Sequence, residues 1–352
     1  MRPKKRFTRA AASVALLALA ATACGETSSG SGSDSDGDKK AKGMAIAYDI
    51  GGEGDQSFND AAAAGLKQAQ DEFGYKGTAV EPKDGESDAD KVQRLKQLAK
   101  QGYDPVVGIG FIYANATKEA AAAHPDTTFG IVDDSTVKAK NVASLVFNEE
   151  QGSYLAGVAA AKASKSKTVG FVGGVDVPLI HKFEAGFAQG VKDTDPKTKV
   201  ITQYLTETAE EGGFSSPDKG KAAAEAQLEK GADVIYQAAG LSGQGVIEAA
   251  AKAKKWAIGV DSDQYKQKAL AGYKDYILTS ATKDVGGAVF SLAKSVEDGK
   301  PLTGEQRFSL EEDGVGVTDT NPKYAQVAGL TDAVEAAKKD IIAGKIKVVT
   351  KP

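Results

Sequence analysis

Histidine and cysteine are nearly missing from this 352-residue chain, which has two of the first, His124 and His181, and one of the second, Cys24. A lone cysteine excludes a disulfide framework. Two histidines leave few candidates for a histidine-based zinc site or a histidine-dependent triad, and neither a metal nor a cofactor is expected. An excess of positive charge is missing too, with 44 Lys and Arg against 48 Asp and Glu. No basic face is apparent, so nucleic acid is not an expected partner. Gly51-Gly52-Glu53-Gly54 does not fit the dinucleotide fingerprint, and neither a phosphate-binding loop nor a G-x-S-x-G nucleophile elbow occurs. The apolar run from Ala10 to Ala21 is too short to stay in a bilayer as a spanning helix.

That run follows Arg2, Lys4, Lys5, Arg6 and Arg9, an arrangement of basic and apolar regions that reads as an export signal over residues 1–23. Small residues lead up to Cys24, which resembles a bacterial lipoprotein signal in which the cysteine is lipidated, although Ala21 stands where Leu is usual. An ordinary secretory signal is the alternative. No twin arginine is present, so the general secretion route is expected. Residues 24–43 are Ser, Gly, Asp and Lys with almost nothing apolar, a composition that cannot form a core and predicts a flexible tether. Removing the signal cations leaves a more acidic chain, still long enough for two domains.

The folded part is organised around Met44 to Gly65. A short apolar strand stops at Asp49, Gly51, Gly52 and Gly54 turn the backbone, and a helix begins near Ser57, the expected cap, with Phe58, Ala62, Gly65 and Leu66 near the helical period. Strands are predicted at 44–48, 78–81, 105–109, 128–132 and 142–147, with helices at 57–73, 86–101 and 115–123. The pattern then restarts. Strands at 168–172, 200–205, 233–236, 256–260 and 276–279 accompany a helix at 178–191, and Asn59 to Gly65 has a counterpart in Ile180 to Gly186. This predicts two doubly wound parallel-sheet lobes whose strand ends face a common cleft. The first lobe is assigned to 44–147 with about 281–304 crossing back, and the second to 148–280 with about 305–352. A helix at 284–297, a strand at 306–310 and a helix at 331–342 would make the crossings of a hinge.

The chemistry-bearing residues fall on that expected cleft edge. Asp49, Asp133 and Asp261 each follow an apolar strand, where a carboxylate can accept two hydrogen bonds from a vicinal diol or, equally, cap the next helix. Lys283 lies beyond the strand ending at Thr279 and could donate to a hydroxyl or sit on the surface. Phe214, in a glycine-flanked turn, and Phe58 could sandwich a flat ring; Phe183 could do so too, or pack its helix on the sheet. Asn59 and Asp55 add an amide and a carboxylate beside Phe58, in what could also be a solvated loop.

Together, Asp49-Ile50-Gly51-Gly52 with Ser57-Phe58-Asn59, Val172-Gly173-Gly174 with Phe183 to Phe187, Asp233 to Gly240, and Ile258 to Gln264 resemble the basic membrane protein family of PnrA-like substrate-binding lipoproteins. The resemblance covers essentially the whole mature chain. It implies a type I periplasmic-binding-protein fold, binding of a purine nucleoside without conversion, and delivery to the permease subunits of an ABC transporter. It also implies a monomer, held on the extracytoplasmic face of the cell membrane through lipid on Cys24. By position it puts the ring stack on Phe58 with Phe214 or Phe183, base contacts at Asp49, Asn59 and Asp133, and ribose contacts at Gly240, Asp261 and Lys283. A sugar or autoinducer ligand is the rival within binding proteins. A nucleoside hydrolase is the remote rival among enzymes, and a ligand-sensing regulator would carry a basic helix-turn-helix where the signal stands.

Overall fold

A computed structural model of the chain describes residues 43–83 and 85–352. The expected signal, Cys24 and the tether up to residue 42 lie outside the described residues. From residue 43 onward, strands, most of them buried and apolar, are interspersed with helices. In the first lobe these are β1 (Ala45–Ala47), α1 (Phe58–Phe73), β2 (Thr78–Val80), α2 (Asp88–Lys100), β3 (Val106–Gly108), α3 (Ala114–Ala123), β4 (Phe129–Val132) and β5 (Val142–Phe147). Local chemistry sets the ends. Ser87 and Asp90 exchange hydrogen bonds in a capping box that starts α2, and Gly74 ends α1 in the left-handed conformation at φ 67°.

The second lobe repeats the plan with β6 (Thr168–Val175), α5 (Pro178–Thr194), β7 (Lys199–Thr206), α6 (Pro217–Glu229), β8 (Val234–Ala238), α7 (Gly243–Lys252), β9 (Trp256–Asp261) and β10 (Ile277–Lys283). Before it comes α4 (Glu149–Ala163), and after it come α8 (Val285–Glu297), β11 (Gly304–Phe308), β12 (Val315–Val317) and α9 (Leu330–Ile342). The two sheets run β11-β5-β4-β3-β1-β2 and β12-β10-β9-β8-β6-β7. All pairings are parallel except β10 with β12. In both sheets the first strand has its successors on opposite sides, so a topological switch point stands at the carboxyl end of β1 and again at β6.

The chain passes between lobes after β5, after β10 and between β11 and β12. Each crossing helix is locked onto the opposite lobe by glycine. A Cβ at Gly186 of α5 would stand 2.1 Å from the Glu150 carbonyl of α4, and one at Gly65 of α1 would stand 2.4 Å from the Gly286 carbonyl of α8. The repeat seen around Gly65 and Gly186 therefore marks equivalent helix contacts.

Several expectations shift. β11 pairs with β5, so residues 304–308 belong to the first lobe's sheet, and the return to the second lobe falls after 308 rather than near 304. β10 runs on to Lys283 because β12 pairs with Ala281, Thr282 and Lys283; Lys283 thus ends a strand instead of following one. The sequence does not announce β12, α4, α6 or α7. β12 is only three residues long, and α4 is buried on nearly every side, which erases the amphipathic period that identifies a surface helix.

Candidate functional site

Between the lobes lies about 500 Å³ of empty space lined by Asp49, Phe58, Asn59, Asp133, Phe183, Phe214, Gly240, Asp261 and Lys283, together with Ile50, Asp55, Phe111, Leu179, Ile180, Ala238 and Val260. All nine residues picked out in the sequence meet in this one cavity. They meet because the carboxyl ends of β1, β4, β8, β9 and β10 and the amino ends of α1 and α5 converge there. Phe111 was missed, although it lies just past β3 on the same edge.

Lys283 is the electrostatic centre. It is 4% exposed, and its Nζ stands 2.6 Å from Asp133 Oδ2 and 3.9 Å from Asp261 Oδ1. Burial works against the charged amine, but the Asp133, Asp261 and Glu149 carboxylates outweigh it and hold the lysine above its usual pKa. Burial pushes Asp261 up, against the opposing pull of Lys283 and of the Ser57 hydroxyl. Asp133 and Asp261 are both in the left-handed region, at φ 66° and 61°. Such a conformation is unfavourable for a non-glycine residue and persists where surrounding bonds enforce it. Asp133 directly follows β4 in one lobe and Asp261 ends β9 in the other, beside Lys283 of β10, so the lysine joins the lobes through Asp133. Asp133 Oδ1 is buried without a hydrogen-bond partner, an acceptor available to a donor in the cavity.

The loop after β1 is built differently from the expected Ser57 cap. Asp55 takes that role, with Oδ1 accepting from the Ser57 and Asp60 amides at 2.8 and 3.2 Å and Oδ2 from the Asn59 amide at 2.8 Å. Ser57 Oγ instead donates across the cleft to Asp261 Oδ2 at 2.6 Å. Asn59 has its carbonyl occupied by the Asp49 amide at 2.9 Å, and its amide donates to Asp55 Oδ2 at 3.1 Å. Most of Asn59's capacity thus fixes the loop. Burial raises Asp49 to about 7, opposed by the hydrogen bond from the Ile50 amide and reinforced by the nearby Asp133 and Asp55 carboxylates. Burial likewise raises Asp55 to about 6. The Tyr48 carbonyl just before Asp49 accepts from Tyr113 Oη at 3.0 Å, and Tyr113 is in turn held by Arg94, which forms a buried pair with Glu86.

Four phenylalanine rings, those of Phe58, Phe111, Phe183 and Phe214, line the cavity. Lys283 Nζ lies 4.7 Å from the centre of the Phe58 ring and 5.6 Å from that of Phe183, distances at which an ammonium is attracted to the aromatic face. Phe183 serves the helix packing as well, being buried in the main core. Phe214 lies against Gly174, where a Cβ would stand 2.4 Å from its ring; glycine is what gives the ring its place. Aromatic faces, carboxylate acceptors and one ammonium suit a molecule with a flat part and several hydroxyls. Among the described residues the lining contains no Ser, Cys or His.

Over residues 44–350 the sequence matches the family described as ABC transporter substrate-binding protein, PnrA-like. It is 38% identical over 321 residues to the ABC transporter nucleoside-binding protein BmpA of Lactococcus lactis subsp. cremoris, an alignment covering 87% of this chain and 89% of that one. An uncharacterized lipoprotein of Pyrococcus horikoshii is 34% identical over 325 residues, covering 87% and 74% of the two chains. Among solved structures, a solute-binding protein of an ABC transporter system from Aeropyrum pernix K1 superposes with a TM-score of 0.74 at 28% identity, covering 87% of this chain and 93% of that one.

Proposed function

We propose a function from one premise: the chain belongs to the PnrA-like family of ABC transporter substrate-binding proteins. Its fold is the type I periplasmic-binding arrangement of two parallel-sheet lobes. On that basis the protein captures a nucleoside, a purine one by preference, in the interlobe cavity and hands it to the permease subunits of its transporter. The supporting observation is the meeting of Phe58, Phe183 and Phe214 with the Lys283, Asp133 and Asp261 cluster in one cavity between the lobes. The rings stack on the base, worth roughly 1–3 kcal/mol per face. Asp261 and Lys283 take the ribose hydroxyls through hydrogen bonds to charged groups, worth about 1.5–3 kcal/mol each. Asp49 and Asp133 face the base edge, with Gly240 close against the sugar. The nucleoside-binding name of the Lactococcus relative points the same way.

The cavity holds its ligand and does not convert it. Incubation with inosine, guanosine or adenosine returns the nucleoside intact; release of free base above the uncatalysed rate would make the protein a hydrolase. An ultraviolet spectrum and mass analysis of whatever purifies with the protein is expected to show a purine nucleoside, and a sugar found in its place would move the assignment to the rival ligand. Lipid on Cys24 anchors the protein to the outer face of the cell membrane as a monomer. Cys24→Ser is expected to leave the membrane fraction with binding unchanged, and its retention there would reveal another anchor.

A further inference from the structure

Apart from the Lys283 and Asp133 pair, the lobes are joined by hydrogen bonds between residues that, Asp261 excepted, do not line the cavity. Gln56 is held at φ 58°, and its carbonyl accepts from Ser262 Oγ at 2.9 Å and from Gln264 Nε2 at 3.0 Å. The next residue, Ser57, is fully buried and donates to Asp261 Oδ2 at 2.6 Å. The first lobe's loop is thereby gripped by the second lobe at two consecutive residues. Gln264 is well anchored for this task. Its side chain is fully buried, and its Oε1 accepts from Gln237 Nε2 at 2.9 Å and from the Val260 amide at 3.1 Å, while its own amide donates to Ser280 Oγ at 3.1 Å. It ties β8, β9 and β10 together before reaching across to Gln56.

We infer that Gln56, Ser57, Ser262 and Gln264, none of which lines the cavity, form a positioning latch that orients Asp261 toward the cavity and holds the lobes together. On both sides of the joint a non-glycine residue, Gln56 or Asp261, is held at positive φ, an arrangement that persists only where neighbouring bonds over-determine it. Ser57 engages Asp261 Oδ2, which leaves Oδ1 on the Lys283 side. A hydroxyl bound to a carboxylate is among the stronger hydrogen bonds, and this one forms only when the lobes meet. The latch therefore biases the protein toward closure before ligand enters, and it must break before ligand leaves. Its effect belongs in the dissociation rate and in the closed population.

The test uses Ser57→Ala with Ser262→Ala, since neither side chain lines the cavity. Spin labels at Lys83→Cys and Glu210→Cys, exposed positions beyond β2 and β7, report the distance between lobes in full-length protein carrying Cys24→Ser. Without ligand, the parent protein is expected to show a short-distance population that the double variant loses. In stopped-flow measurements with inosine, the double variant is expected to dissociate at least about tenfold faster while association changes less than about threefold, as the loss of two interlobe hydrogen bonds implies. Gln56→Gly keeps the carbonyl and is expected to dissociate within about threefold of the parent. An unchanged distance distribution in the double variant, or an unchanged dissociation rate, overturns the latch; so does a Gln56→Gly rate matching that of the double variant. The distance measurement needs no ligand, so it decides the latch even where the nucleoside reading fails.

Discussion

Replacing Lys283 with Met keeps an aliphatic stem and removes the charge that lies 4.7 Å from the centre of the Phe58 ring. In the closed protein Asp133 then loses a partner at 2.6 Å, and Asp261 loses a cation at 3.9 Å. Stripping one member from a buried ion pair costs about 3–5 kcal/mol, because the remaining charge is left without compensation. Asp133 belongs to the first lobe and Lys283 to the second, so opening the cleft lets water reach the stranded carboxylates. The penalty therefore falls on closure rather than on folding. At about 1.4 kcal/mol per decade it should weaken nucleoside binding by roughly 10²- to 4 × 10³-fold, with little change in the melting temperature of the free protein. The loss is expected to be smaller at pH 5 than at pH 8, since Asp261 already titrates above the usual carboxylate range and protonates readily once the lysine is gone. Calorimetric titration of inosine into both proteins at pH 5, 6.5 and 8 measures this. A loss below threefold at pH 8, or an equal loss at every pH, would refute the reasoning.

Stability should fall as pH rises, because burial raises Asp49 to about 7, Glu149 to about 7 and Asp55 to about 6. Unfolded carboxylates titrate near 4, so between those values the folded chain holds more protons; the stabilisation is complete below about pH 4 and is lost as pH rises through the folded values, at up to about 1.4 kcal/mol per pH unit for each group. Thermal melts from pH 5 to 8 are expected to show this slope, and Asp49→Asn to flatten it; an identical slope in the variant would mean Asp49 ionises normally. Gly186→Ala forces a Cβ to within 2.1 Å of the Glu150 carbonyl and is expected to cost about 1–3 kcal/mol. Gly272→Ala, with nothing within 4 Å, serves as the neutral comparison, and equal melting temperatures for the two variants would contradict the close helix contact.

Much of the architecture was legible because most strands are short apolar runs, and the Gly65 and Gly186 repeat lies in two equivalent helices. The cavity was legible for one reason: polar and aromatic residues just past strand ends share an edge, so Asp49, Asp133 and Asp261 come together whatever the helix details. What the sequence concealed depends on partners distant in the chain. Ser57 looked like a cap because it precedes Phe58, yet Asp55 captures the helix amides and frees Ser57 to reach Asp261, 204 residues away. Lys283 could be read either as a ligand donor or as a surface residue, because the strand that extends β10 to include it, Val315–Val317, lies far along the chain. The Arg94 and Glu86 pair beneath the Tyr48 carbonyl carries no local pattern at all. The buried helix α4 lacks a polar face to announce it.

Nucleoside capture is tested most directly by titrating inosine, guanosine, adenosine and free ribose into the parent protein and Phe58→Ala. If a base stacks on Phe58, at least one purine nucleoside binds far more tightly than ribose, and the substitution weakens that nucleoside by roughly 1–3 kcal/mol while leaving ribose almost unchanged. Ribose binding as tightly as any nucleoside, with Phe58→Ala making no difference, would contradict the nucleoside assignment and leave a sugar as the ligand.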